Sequence, residues 1–158
     1  MSSIGVRFAK ALAARNDETL KRVLAEKVDF RGMTPDQVWE ASTADEVVDD
    51  VLLGSWFPAG LQPEGLDSLG TSMIGRRERV GCRVHATDAQ GSYEAELQAF
   101  LTVEDDRITW LRMMSSGLER VSRGEQVSGW HAWSTRTPVR SLRRATDRLA
   151  VRRGETER

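Results

Sequence analysis

The chain has 158 residues, 39% of them hydrophobic and 30% charged, with a formal net charge of -1, a balance that suits one compact domain better than two. No apolar run approaches the about eighteen residues of a membrane helix, and the opening segment turns charged before a signal-peptide core forms, so the expected location is the cytoplasm. One cysteine, Cys82, excludes an internal disulfide and a zinc site with several thiolates, and two histidines leave little for other metals. With no phosphate-cradling glycine loop, no Gly-x-Ser-x-Gly elbow and no dinucleotide fingerprint, no cofactor is expected.

Ile4, Phe8, Ala11 and Leu12 recur at helical spacing and predict a first helix that stops near Asn16. Asn16 caps a second over 17 to 25, with Leu20, Val23 and Leu24 inward and Asp17 and Glu18 at its positive end. Val28-Asp29-Phe30 alternates as a short strand closed by Gly32. Thr34-Pro35-Asp36-Gln37 has the cap, proline and Gln of a helix start, which puts Trp39 and Glu40 on a short helix. Thr43 to Glu46 repeats that pattern and opens a helix whose Val47, Val48, Val51 and Leu52 point inward until Gly54.

After Trp56 the glycines and prolines break helices and the period becomes two, predicting strands at 66 to 74, 78 to 87, 92 to 103 and 107 to 116. The last three form an antiparallel meander. With the first turn at Ala89-Gln90, His85 faces Glu94 and Arg83 faces Glu96 on one face, while Val80, Cys82, Val84, Tyr93, Ala95, Leu97, Ala99 and Leu101 share the other. Pairing Val103 with Ile108 adds Ile108, Trp110, Arg112, Met114 and Ser116 to the apolar face. The helices should cover that face. The expected organisation is a core domain over 1–117, a loop over 118–137 and a basic tail helix over 138–158. Residues 136–158 carry eight Arg against three acids, about +5, over a body of about -6. A solvated helix is the default reading of that tail, with nucleic acid and membrane partners disfavoured.

Phe8-Ala9-x-Ala11-Leu12-x-x-x-Asn16-x-x-x-Leu20 followed by Val28-x-Phe30, with Val103-x-x-Asp106-x-Ile108 near the end, resembles the opening and final hairpin of the SnoaL-like and ketosteroid-isomerase-like proteins of the nuclear transport factor two superfamily. The resemblance covers roughly residues 4 to 117. It implies an α+β, cystatin-like cone: N-terminal helices on a curved antiparallel sheet around a hydrophobic pocket, commonly as a homodimer. Members of the superfamily isomerise, cyclise, dehydrate, open epoxides or only bind ligands. Carried over singly, the isomerase tyrosine falls on Phe8, its aspartate base on Gly32 and its second aspartate on Gln98 or Ala99, none of which moves a proton.

Arg112 is the one charge on the expected inward face and must meet an anion: Glu40, Asp29 or Asp36 from the elements above it, or a ligand. The first functional expectation is therefore a cofactor-free isomerase, polyketide cyclase or dehydratase acting on a small, largely apolar metabolite. Arg112 would stabilise negative charge, Tyr93 or Glu40 would carry the proton, and Phe8, Trp39, Trp56, Trp110 and Met114 would wall the substrate. The rival is a non-catalytic ligand-binding or dimerisation module. A homodimer is expected through the face holding Arg83, Glu96, His85 and Glu94, with Phe100, Leu111 and Met113 exposed there.

Overall fold

The computed structural model describes residues 2–122. Helix α1 (Ile4–Ala13) starts at Ser3, whose hydroxyl accepts from the Val6 amide, and buries Ile4, Phe8, Ala11 and Leu12 as their spacing requires. Helix α2 (Asp17–Val23) is capped by Asn16, whose Oδ1 accepts from the Thr19 amide at 3.0 Å. Strand β1 (Leu24–Thr34) then runs much further than three residues and carries Gly32 inside it.

The expected helix at Trp39 is instead strand β2 (Gln37–Thr43), paired antiparallel with β1 from Thr34/Gln37 to Lys27/Thr43. Proline followed by aspartate is also a turn signal. Here Thr34 Oγ1 donates to Asp36 Oδ1 and accepts from Trp39 Nε1, which closes a hairpin. Alternation of Trp39 and Ala41 toward the core against exposed Val38, Glu40 and Ser42 is two-fold.

Helix α3 (Glu46–Trp56) forms where expected, with Thr43 Oγ1 accepting from the Glu46 amide, and buries Val47, Val48, Val51 and Leu52. It is wound with π-type bonding throughout and passes Gly54 to end at Trp56. Four antiparallel strands follow: β3 (Gln62–Ile74), β4 (Arg77–Asp88), β5 (Gly91–Glu104) and β6 (Arg107–Ser115). The β5–β6 turn places Asp105 and Asp106 at φ 51° and 60°, the left-handed pair of a two-residue hairpin. Strand β7 (Glu119–Val121) lies in the stretch expected to be loop and pairs with the start of β5. The remainder of that loop and the 138–158 tail lie outside the described residues.

The strand order is β2-β1-β6-β5-β4-β3, with β1 and β6 parallel and the other neighbouring pairs antiparallel. Three helices pack against this curved sheet, and Phe8, Leu12, Leu20, Phe30, Leu52, Leu101, Ile108 and Leu111 are all at most 1% exposed between them. The Glu78 carboxylate on the inner face of β4 fixes α1 to the sheet: it accepts from the Gly5 amide and pairs with the Ser3 hydroxyl at the positive end of the helix. Gly5 leaves room for it, since a Cβ there would stand 2.6 Å from Glu78 Oε1.

Candidate functional site

The β4–β5 register holds as the alternation requires, with Arg83 opposite Glu96 and His85 opposite Glu94, and Val80, Cys82, Val84, Ala95, Leu97, Ala99 and Leu101 are all buried inward. Arg83 Nη2 bonds Glu96 Oε1 at 2.7 Å, and that carboxylate holds the guanidinium above its ordinary pKa despite partial desolvation. His85 turns to strand β3 instead, where its Nε2 lies 2.8 Å from Asp67 Oδ2.

The β5–β6 pair breaks the alternation. Val103 faces Ile108 as expected, but the next pair is Thr102 with Trp110, so Thr109 is an extra residue on β6. Beyond that bulge every side chain changes face. Leu111 and Met113 are buried, at 0% and 3% exposure, whereas Met114 is 55% exposed. Arg112 and Trp110 therefore lie on the outer face, which corrects their inward placement; Leu111 and Met113 likewise leave the expected outer surface.

Arg112 meets Asp29, one of its three anticipated protein partners, through Nη1 contacts of 3.1 Å to Oδ1 and 2.9 Å to the backbone oxygen. Its guanidinium carbon stands 4.4 Å from the Trp110 ring centroid, and that of Arg77 stands 3.8 Å away. Two guanidinium groups thus stand over the Trp110 ring. Glu40 is exposed on β2 and pairs with Arg31 at 3.3 Å. Arg31 in turn sits opposite Arg112, so these three form one outer row. Tyr93 is at the start of β5, seven residues from Phe100, the partner of Arg112. That is about 23 Å of extended strand. The structure does not bring Arg112, Tyr93 and Glu40 together.

Inside the cone, Phe8 is 1% exposed, and Gly32 receives the Trp56 ring: a Cβ at Gly32 would lie 2.8 Å from its Cζ2 and Cη2. Phe30 stands against the same indole at a centroid distance of 6.3 Å. The position that the resemblance gives to an aspartate base is thus packed with aromatic carbon. Cys82 is also inward, and burial pushes its thiol up to about 11, helped by the Glu96 and Asp67 charges, so it is no nucleophile at neutral pH. Trp39, on β2, covers the edge of this core. An open recess of about 560 Å³ lies where β4 turns into β5, lined by Pro58, Ala59, Gly60, Leu61, Asp88, Ala89, Gln90, Tyr93 and Leu118. Tyr93 is half-buried on its wall, and its hydroxyl has no hydrogen-bond partner among the described residues. Sequence periodicity marks Tyr93 as inward but gives no sign of Pro58 to Leu61, which reach this recess by chain reversal after α3.

No protein-family model matches the chain, and no curated protein does. Solved structures do. A hypothetical protein from Catenulispora acidiphila with a ketosteroid-isomerase-like fold, in complex with trimethylamine, aligns with a TM-score of 0.57 at 10% identity over 73% of this chain and 88% of its own. The fold is that of the ketosteroid-isomerase-like, nuclear transport factor two proteins. AusH from Aspergillus nidulans shares it at a TM-score of 0.54 and 14% identity, over 72% of this chain and 81% of its own. An LEH-like epoxide hydrolase from M. tuberculosis shares it at 0.53 and 10%, over 72% and 80%. Enzymes with this cone fold are thus among the neighbours, and at these identities the likeness is one of architecture. No helix among the described residues is long and apolar enough to cross a membrane.

Proposed function

We propose that this chain is a non-catalytic module that holds a small, largely apolar molecule and works as a pair of identical copies in the cytoplasm. One observation carries the reading: the positions that the resemblance gives to the isomerase's proton-moving groups hold Phe8, Gly32 under Trp56, and Gln98 or Ala99, none of which titrates. The recess beside Tyr93 offers largely apolar walls and one phenol without a hydrogen-bond partner among the described residues, a pattern that suits orienting a ligand by a polar group. The enzyme reading, an isomerase, cyclase or dehydratase, rests on that same phenol, since of the two expected proton carriers, Tyr93 and Glu40, it is Tyr93 that lines a recess.

The pairing is supported by how charge is divided on the outer face. At one end lie Asp67, Glu94 and Glu96, with Arg83 among them; at the other lie Arg31, Arg77, Arg79 and Arg112, outnumbering Glu40 and Asp29. Between them runs an apolar row in register, exposed Val38, Met33 and Met114. A two-fold axis through that row sets each copy's acidic end over its partner's basic end.

Native mass spectrometry of the purified full chain tests the whole reading. It should give a dimer mass that falls toward the monomer as salt rises, with a co-purifying neutral molecule that Tyr93→Phe weakens. A monomer at every ionic strength removes the pairing. Turnover of the released molecule by the protein, lost in Tyr93→Phe, replaces the module with the enzyme.

A further inference from the structure

The Trp56 side chain combines three features that ordinary core packing leaves unexplained. It is 6% exposed, yet among the described residues its indole Nε1 is a buried donor with no hydrogen-bond partner. Buried donors are almost always satisfied, so the inward position of this ring is penalised. The ring fits only because residue 32 has no side chain. And Trp56 is the last residue of a helix wound with π-type bonding, a rare arrangement that is frequent at functional sites. The C-terminal end of that helix is held from outside by Arg15, which donates from Nε to the Phe57 oxygen and from Nη2 to the Leu53 oxygen. Backbone anchors on either side of Trp56 leave its χ angles as the free coordinates.

We propose that Trp56 is a displaceable plug over a latent ligand site at Gly32: the indole turns out of the cone, its N–H gains a partner in water, and a neutral apolar molecule of bicyclic size takes the space it leaves. The inference rests on the ligand-binding reading but adds a second site, inside the cone at Gly32 and apart from the recess beside Tyr93, and names the size of molecule that it takes. Glycine at 32 gives the ligand a flat, featureless floor, and Phe30 gives it an aromatic wall.

The test uses the full chain labelled with 5-fluorotryptophan, with the Trp56 fluorine resonance assigned by its loss in Trp56→Phe, and indole as the probe. The Trp56 resonance should shift or split saturably with indole, while that of Trp110, on the outer face, stays in place. Trp56→Ala, with no plug to displace, should bind indole on the order of tenfold more tightly than wild type. A Trp56 resonance unmoved by indole overturns the plug whether or not Trp56→Ala folds. A Trp56 resonance moved neither by indole nor by a co-purifying molecule that Tyr93→Phe weakens overturns the plug, yet leaves the module standing. An indole-responsive Trp56 in a protein that turns over its natural ligand removes the module reading and keeps the plug.

Discussion

The β4–β5 and β5–β6 pairs are neighbouring hairpins on the same strand, and they obey alternation differently. From Glu78/Leu101 to Asp88/Gly91 the first pair runs without a break, so inward and outward residues follow from counting alone. The second pair contains one additional residue, Thr109, and from there on counting gives the wrong face. Nothing costly marks the exchange at the surface: Leu111 and Met113 take the core, and Arg112 is left with Asp29 and the Trp110 ring. A strand's apolar pattern thus specifies which residues can be buried, while a bulge decides which are.

The largest expected effect comes from removing the difference itself. Deleting Thr109 would restore strict alternation in β6, turning Arg112 inward and Leu111 outward if the hairpin keeps its register. Burying an unpaired guanidinium beside Leu101 and Ile108, at several kcal/mol, together with exposing Leu111 and Met113, consumes most of a typical domain's stability of about 5–15 kcal/mol. The deletion variant should lack a cooperative thermal transition by circular dichroism. A native-like transition would mean that β6 slides without consequence and the bulge is incidental.

Adjacent residues on either side of the new parity sharpen the same point. Leu111→Ala removes a fully buried side chain at the centre of the cone and should cost about 2–5 kcal/mol. Arg112→Met removes a pair whose Asp29 side chain is 61% exposed, and should cost no more than about 1 kcal/mol. Urea denaturation of both variants measures the gap. A cost of several kcal/mol for Arg112→Met, equal to that of Leu111, would return Arg112 to a structural role in a dry environment.

Where local chemistry and periodicity agreed, the fold was legible from the residues. Asn16 caps α2, Thr43 caps α3, and β4 and β5 pair as counted, because a hairpin with one short turn admits one register. Thr34-Pro35-Asp36 was ambiguous in a physical sense: proline and aspartate satisfy both a helix start and a β-turn, and the choice was made by the edge of β1, which needed a partner. The site was harder. Counting puts Arg112 on the inward face, where it would require an anion; Asp29, one of the three partners that this reading names, does meet it, but on the outer face, because of a bulge that no residue type announces. The sequence makes Trp56 a cavity wall; that Gly32 makes room for its ring is a contact between residues 24 apart, invisible to any local pattern.

The smallest effect belongs to the polar edge of the unbroken ladder, where β3 is tied to β4 by His85 and Asp67. Partial burial pushes the Asp67 carboxyl up, but hydrogen bonds from His85 and Ser68, with the His85 and Arg83 charges, outweigh it and leave the group below its ordinary 3.8. A carboxyl with a lowered folded-state pKa adds stability that is complete above the unfolded value and is lost as pH falls through the folded one. The contribution of Asp67 should therefore be intact at neutral pH and disappear only below about pH 4. Because its side chain is 55% exposed, solvent screening holds that contribution to at most a few tenths of a kcal/mol, ~0.5 or less. Asp67→Asn should accordingly lower the melting temperature slightly at pH 7 and converge with wild type near pH 3, a difference that scanning calorimetry across this range can read. Equal offsets at both pH values would show that Asp67 acts through packing of the β3 bulge rather than through its charge.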